Sequence, residues 1–258
     1  MNNQQSLGGG AHGFIPLKGK NVGVESPTYR RITSEAGWVF SPTKSKTAFT
    51  LAEVLITLGI IGVVAAMTMP TLIKKHQQQV MVTRLQKNYS IMAQAVTRST
   101  LDNGDVKEWD LGTDYTKENL KRVVDKYFVP YFKKIKIVET TGTNSYQNYG
   151  FILADGAKVM FSLDGDSNGG NPPSSINISF DFKNISQISK RDFSRNNFFL
   201  HIEPYKNKLE FFHWGNTRNE IINNSNYGCR ASNTKDRRYN CGALIQMDGW
   251  KISDDYPW

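Results

Sequence analysis

A charge-free apolar run near the N-terminus constrains the fold of this 258-residue chain more than any other feature. The run extends from Val54 to Ile73, between Glu53 and Lys74. About 20 apolar residues in a helix suffice to cross the hydrocarbon core of a bilayer. The run therefore argues against a wholly soluble cytosolic enzyme. Because the chain has only one such run, it also argues against a polytopic transporter.

The formal net charge of +9 would suggest a nucleic-acid partner if it were spread evenly along the chain. It is not evenly spread. Residues 1–48 account for +4 of it, which leaves +5 over the remaining 210 residues. The part that follows the apolar run is thus only mildly basic, and a nucleic acid is not its expected partner.

The chain divides into three segments by composition. Residues 1–48 are rich in Gly, Ser, Asn and Pro, show no hydrophobic period, and are predicted to be a flexible leader. Residues 49–73 are predicted to be a membrane-spanning helix, with Pro70 as a kink. Residues 74–258 are expected to hold an amphipathic helix and a globular head with a C-terminal disulfide loop.

The apolar helix is predicted to continue as an amphipathic helix to about residue 101, where the sequence Asp-Asn-Gly ends it. A helix over 49–101 would be about 80 Å long at 1.5 Å per residue. Basic and polar residues, Arg84 among them, are expected on its other faces. The apolar positions that recur at helical spacing are Met81, Leu85, Tyr89, Met92 and Val96.

The head is predicted to be α+β. A second helix is expected at 117–128, capped by Thr116 and stopped by Pro130. Asp155-Gly156 between two apolar runs predicts a β-hairpin, so the amphipathic helix should pack on an antiparallel sheet. The residues from 223 onward are expected to be irregular. The predicted strands are Tyr149–Ala154, Lys158–Leu163, Ile176–Phe182, Phe198–Glu203 and Lys208–Trp214.

The residues around the start of the apolar run form a distinctive pattern. Lys44 and Lys46 precede a small residue, Ala48, which an aromatic residue, Phe49, follows, and the acidic Glu53 stands at the fifth position of the apolar segment. A carboxylate at bilayer depth costs about 2.5–3.5 kcal/mol on insertion scales, so Glu53 is expected to have a role. The pattern resembles the N-terminal cleavage and methylation motif of type IV pilins and type II secretion pseudopilins.

This resemblance implies a fate for each matched residue. A prepilin peptidase would cut between Ala48 and Phe49, the new Phe49 amine would be methylated, and Glu53 would pair with the amine of a neighbouring subunit. The implied product is a structural filament subunit and not an enzyme. It would sit in the inner membrane with its head outside the cytoplasm, and its partners would be other subunits, the peptidase and the inner-membrane assembly machinery. Ala48 departs from the family's usual glycine, and a 48-residue leader is unusually long.

Other interpretations of the N-terminus and of the function stay open. An ordinary signal peptide cut around Val64-Ala65-Ala66 would release a secreted soluble protein, and a plain signal anchor would leave the chain in the membrane without assembly. A minor pilin that acts as an adhesin or a DNA-binding tip protein is a further alternative.

The two cysteines, Cys229 and Cys241, are separated by 11 residues near the C-terminus. No histidine lies near them in the sequence, which argues against a zinc site. One disulfide is expected in an oxidising compartment, and it would place the head outside the cytoplasm; two free thiols in a cytosolic domain are the alternative.

Two further patterns give weaker site predictions. Asp164, Asp166 and Asn168 match the first half of a calcium loop, but Ser175 replaces the bidentate Glu of an EF-hand, so the choice is between a looser calcium site and a polar turn. Apart from that calcium, no cofactor is expected. A basic run next to Tyr239 could contact phosphates, with a solvated surface as the alternative. The basic residues are Arg230, Lys235, Arg237 and Arg238.

Overall fold

The computed structural model describes residues 49–165, 171–183, 192–233 and 238–258. Two compact units divide the chain, Met1–Leu51 and Ala52–Trp258, and the second unit holds every described strand. The predicted α+β layout is confirmed: a long N-terminal helix precedes a six-stranded antiparallel sheet.

Helix α1 extends over Leu51–Asn103 and continues through Pro70. The residue that follows the helix, Gly104, has a φ of +80°, the left-handed conformation that commonly terminates helices and that glycine adopts without strain. The end of the helix was therefore predictable from the Asp-Asn-Gly signal.

The sheet has the order β1-β2-β3-β4-β5-β6, with every neighbouring pair antiparallel. Gly156 turns the hairpin between β2 and β3 with a φ of +82°. The strands are β1 (Lys136–Glu139), β2 (Tyr146–Ile152), β3 (Lys158–Asp164), β4 (Ser175–Asp181), β5 (Asn197–Glu203) and β6 (Lys208–Phe211).

Among the described residues of the head there are four shorter α-helices. Helix α2 begins after Thr116, whose side chain accepts a hydrogen bond from the Asn119 backbone N–H, as the predicted cap requires. The helices are α2 (Lys117–Tyr127), α3 (Asp192–Arg195), α4 (Arg218–Asn223) and α5 (Cys241–Met247).

The core lies between one face of the sheet and the helices. The predicted stripe of α1 is buried there, except that Tyr89 is half-buried; its ring stacks on Phe211 of β6 at 5.0 Å. Trp109 and Tyr127 stack at 4.4 Å in the same core. Alternation along β5 points Phe198, Leu200 and Ile202 into this core, and Phe199 and His201 lie on the opposite face of the sheet. We call that opposite face the outer face.

The structure corrects several sequence predictions of the elements, among them the start of β2, which lies at Tyr146 and not at Tyr149. Strand β1 was missed, β6 ends at Phe211 instead of Trp214, and the C-terminal part is not wholly irregular because it contains α5. The first turn of α5 packs closely on the sheet, since a Cβ at Gly242 would lie 2.3 Å from the Phe211 ring.

Candidate functional site

The predicted cleavage point lies at the border of the described residues. Ala48 falls outside them, and Phe49 and Thr50 precede the first residue of α1, Leu51. The Phe49 side chain is 86% exposed. The aromatic residue expected to become the new N-terminus is therefore accessible.

Glu53 lies in the first turn of α1 and its side chain is exposed. A carboxylate in the first turn interacts favourably with the positive end of the helix dipole. Glu53 stands near the start of the apolar segment and is the only charged residue in the sequence between residues 49 and 73.

The first half of α1 exposes an almost continuous apolar surface. In residues 51–80 every side chain except Ala65 and Gln78 is exposed, and a Cβ added at Gly59 or Gly62 would meet nothing within 4 Å. Soluble monomers rarely expose apolar patches of more than several hundred Å². This surface therefore requires lipid or other helices to cover it. Its large apolar residues are Leu51, Val54, Leu55, Ile56, Leu58, Ile60, Ile61, Val63, Val64, Met67, Met69, Leu72 and Ile73.

The second half of α1 is fixed to the head by polar contacts as well as by its buried stripe. Arg84 donates hydrogen bonds to the backbone carbonyls of Phe182 (2.9 Å) and Asp155 (2.8 Å), and its Nε lies 3.4 Å from the Asp155 carboxylate. Its guanidinium also lies 4.7 Å from the centre of the Phe182 ring. Arg84 thus faces the sheet, contrary to the sequence prediction that placed it on another face.

The charge of Asp155 is maintained in this contact. Burial alone would raise its pKa, but hydrogen bonds from Asn88 and from the Ala157 N–H, together with the Arg84 cation, outweigh it and hold the pKa below its usual value. The turn between β2 and β3 is therefore tied to α1 by an ionised group.

Cys229 and Cys241 are joined in a disulfide in the structure, with their Cα atoms 4.8 Å apart. A tyrosine stands two residues before each of them, Tyr227 and Tyr239. The two rings stack at 5.3 Å and are nearly parallel. The disulfide therefore also fixes a pair of aromatic side chains, which the sequence predictions did not include although the repeated Tyr-x-Cys spacing signals it.

The basic residues near the disulfide do not form a common surface among the residues that the structure describes. Arg238 is only 8% exposed, it donates to the Ala231 carbonyl, and burial lowers its pKa. This burial disfavours a phosphate contact at Arg238, and the phosphate-binding role of the basic run stays a prediction. Arg230 is half-buried and donates to Asn223, and Lys235 and Arg237 lie outside the described residues.

The predicted calcium loop is described at one ligand only. Asp164 accepts hydrogen bonds from the Gly165 N–H and from the Asn177 amide, and Asp166 and Asn168 lie outside the described residues. Within the described ranges no group of three or more His, Cys, Asp or Glu side chains could hold a metal ion. The calcium site stays a prediction.

A network around Arg218 was not predicted from the sequence. Its guanidinium contacts Asp248 at 2.7 Å and Asp255 at 2.8 Å and donates to the Ser253 hydroxyl. These contacts join the start of α4 to the C-terminal segment. Hydrogen bonds from Arg218 lower the pKa of Asp248, and they lower the pKa of Asp255 to about 2.

Comparison with known proteins finds two adjoining matches. Residues 43–69 match the model of the prokaryotic N-terminal methylation motif, which confirms the resemblance drawn from the residues around Ala48. Residues 71–258 match the model of a family of unknown function, DUF6613. No curated protein and no solved structure matches the chain.

Proposed function

The chain belongs to the family of unknown function DUF6613, and we propose that it is a structural subunit, a pilin or pseudopilin, of a type IV pilus or a type II secretion-like filament. The methylation motif makes it a prepilin-type protein, and together with the apolar helix it indicates membrane anchoring. The filament role is our inference from how the motif and the helix are combined.

One observation carries the proposal: the methylation motif, matched over residues 43–69, includes most of the exposed apolar half of α1. A signal peptide cut near Ala66 would remove most of this surface. Cleavage before Phe49 would keep it. A retained apolar helix can first lie in lipid and later pack against the helices of other subunits, because its apolar side chains are stable in both environments.

The proposed orientation places the leader in the cytoplasm and the head outside it. The disulfide of the head supports this orientation, because such bonds persist in oxidising compartments. The partners proposed are other subunits, a prepilin peptidase and the inner-membrane assembly machinery. The burial of Arg238 disfavours the alternative of a DNA-binding tip protein.

In this proposal Glu53 sets the register between subunits by pairing with the Phe49 ammonium of a neighbour. Glu53→Ala removes the cost of placing a carboxylate among apolar groups, so membrane insertion and peptidase cleavage should persist. Filament assembly should fail, because the neighbour's ammonium would enter the apolar bundle without its countercharge.

The test is the recovery of filaments, by shearing and sedimentation, from cells that express the chain with a prepilin peptidase. We expect filaments from the wild type and from Thr57→Ala, a matched truncation one turn further along the same exposed helix. We expect at least a tenfold lower yield from Glu53→Ala. Normal yield from Glu53→Ala would contradict the register role, and absence of filaments from the wild type would contradict the filament proposal.

Mixed expression separates an inter-subunit pair from a pair within one chain. If Glu53 served only the Phe49 amine of its own chain, the amines of wild-type neighbours would keep their countercharge. A tagged Glu53→Ala subunit would then enter wild-type filaments normally. The inter-subunit pair predicts that the tagged variant is poorly incorporated even when wild-type subunits are in excess.

A further inference from the structure

A basic cavity lies between α1 and the C-terminal part of the head, just beyond the apolar half of the helix. Its volume is about 490 Å³, which is within the range for small-molecule sites. One wall is the part of α1 from His76 to Arg84. The residues of the other wall include Phe182 and Lys183, which follow β4, Arg195 at the end of α3, and Trp258.

The cavity begins at the level of the membrane surface. His76 is three residues beyond Ile73, the last residue of the charge-free run, and Arg84 is eleven residues beyond it. At 1.5 Å per residue the cavity therefore extends from about 5 to about 16 Å past the apolar run. With that run in the hydrocarbon core, the headgroup layer occupies about the next 5–8 Å. A lipid headgroup can thus reach the end of the cavity that lies at His76.

The lining of the cavity carries cations. Among the described residues that line it are Arg84, Lys183 and Arg195, together with His76, and no aspartate or glutamate. Two carboxylates contact these residues from outside the cavity: Asp155 pairs with Arg84, and Asp181 accepts a hydrogen bond from the Lys183 N–H. An anion that enters the cavity therefore meets basic side chains and no acidic ones.

Two neighbouring parts of the sequence leave the sign of this charge unchanged. A terminal carboxylate on Trp258 would oppose only one of the three lysine and arginine side chains of the lining. Residues 184–191, which lie outside the described ranges, include two basic residues and no acidic one. The charge of the lining and of its surroundings therefore favours an anionic ligand.

Arg195 supplies the cation on which the inference depends. Its Nε is buried without a hydrogen-bond partner among the described residues, and its guanidinium lies 5.2 Å from the centre of the Trp258 ring. A guanidinium presents several N–H groups in a planar fork that fits phosphate oxygens. Burial and the nearby Arg195 cation both lower the pKa of Arg238. A bound anion would therefore also reduce the repulsion between these two arginines.

Apolar side chains lie beside the cations. Val80, which is 53% exposed, and the rings of Phe182 and Trp258 line the same cavity. Tryptophan is enriched where membranes meet water, because its ring is apolar and carries one polar N–H group. A ligand that joins a phosphate to an apolar portion matches both parts of this lining.

We propose that the cavity binds the headgroup of an anionic phospholipid from the leaflet that faces the head. The phosphate binds at Arg195 and Lys183, and the glycerol and the first acyl carbons pack on Val80 and Trp258. Bound lipid would hold this part of the head at the membrane surface. The inference rests on the membrane anchoring of α1 and not on filament assembly.

The test uses the full, uncut chain in a non-ionic detergent and a phosphate-free buffer. Native mass spectrometry measures the binding of dioleoyl phosphatidylglycerol and of dioleoyl phosphatidylcholine, which differ in headgroup charge but not in acyl chains. We expect saturable binding with a Kd about tenfold lower for phosphatidylglycerol. No step requires assembly, so a failure of filament formation would leave this result unaffected.

The variants separate a built site from a general attraction between charges. Arg195→Gln should weaken phosphatidylglycerol binding about tenfold, because it removes a charged hydrogen-bond donor. Val80→Glu places a carboxylate at an exposed lining position and should weaken binding similarly, whereas Val80→Gln should change it little. Lys74→Gln is the matched control, because it removes an exposed positive charge beside the membrane but outside the cavity. All variants keep the same leader, so its basic residues contribute equally to every measurement.

Three results would overturn the inference. The first is equal affinity of the folded protein for the two lipids. The second is a Kd for Arg195→Gln and Val80→Glu that equals the Kd of Lys74→Gln and Val80→Gln. The third is displacement of phosphatidylglycerol by an equal concentration of inorganic phosphate, which would assign the cavity to a free anion and not to a lipid.

Discussion

Arg218 shows how much of the C-terminal architecture depends on a single side chain. It stands at the start of α4, and its carboxylate partners lie 30 and 37 residues further along the chain. The Arg218 side chain is 39% exposed and the Asp248 side chain only 14%. Hydrogen bonds to charged groups contribute about 1.5–3 kcal/mol, and solvent screening reduces that for a half-exposed cation.

We predict that Arg218→Gln lowers the free energy of unfolding at pH 7 by about 1–2 kcal/mol. The folded pKa values of Asp248 and Asp255 lie below the unfolded value of about 3.9. Their contribution is therefore complete above pH 4 and is lost as the pH falls through the folded values, about 2 for Asp255. The difference between wild type and variant should shrink between pH 4 and pH 2.

The measurement is thermal unfolding of the full chain in detergent across this pH range. Lys251→Gln serves as the control, because it removes one positive charge from an exposed side chain in the same C-terminal segment. An Arg218→Gln offset that is equal at pH 2 and pH 7 would show that the ion pairs do not stabilise the fold.

Sequence reasoning found local pairs of residues and missed distant ones. The Thr116 cap could be predicted, because its partner is three residues away and the pairing follows from helix geometry. No spacing rule links Arg218 to Asp248. Arg84 was misplaced because helical periodicity describes the centre of an apolar stripe, and a long side chain at its flank can reach the sheet.

At the scale of elements, α1 combines two different helices in one. Its first half is apolar and exposed, and its second half is amphipathic and packed on the sheet. The charge-free run revealed the first half and the hydrophobic period revealed the second, and both signals are readable because each half is long. Strand β1 has four residues, all but one exposed, and α5 has seven, so neither shows a readable period.

The disulfide is the element-scale feature with the clearest energetic consequence. Closing a loop of this length should stabilise the head by about 3 kcal/mol, mostly by restricting the unfolded chain. We predict that the Cys229→Ser/Cys241→Ser double variant unfolds at correspondingly lower denaturant concentration. Reducing agent should lower the wild-type midpoint to that of the double variant and leave the variant unchanged. Equal midpoints for oxidised wild type and double variant would contradict this prediction.

At the scale of the whole molecule, the head and the apolar half of α1 have opposite requirements. The head buries its own core, including Leu85, Phe161 and Leu244. Among the residues that the structure describes, none covers the apolar half of α1. Such a surface needs an apolar environment around it, and the methylation motif, matched over residues 43–69, lies in this same half of α1.

The most direct test of this account is the N-terminal sequence of the chain after expression with an active prepilin peptidase. Mass mapping and Edman degradation should find Phe49 as the first residue, carrying an N-methyl group, and the whole apolar half of α1 retained. An N-terminus at Met67, or an uncut leader despite active peptidase, would contradict the prepilin-type account of this protein.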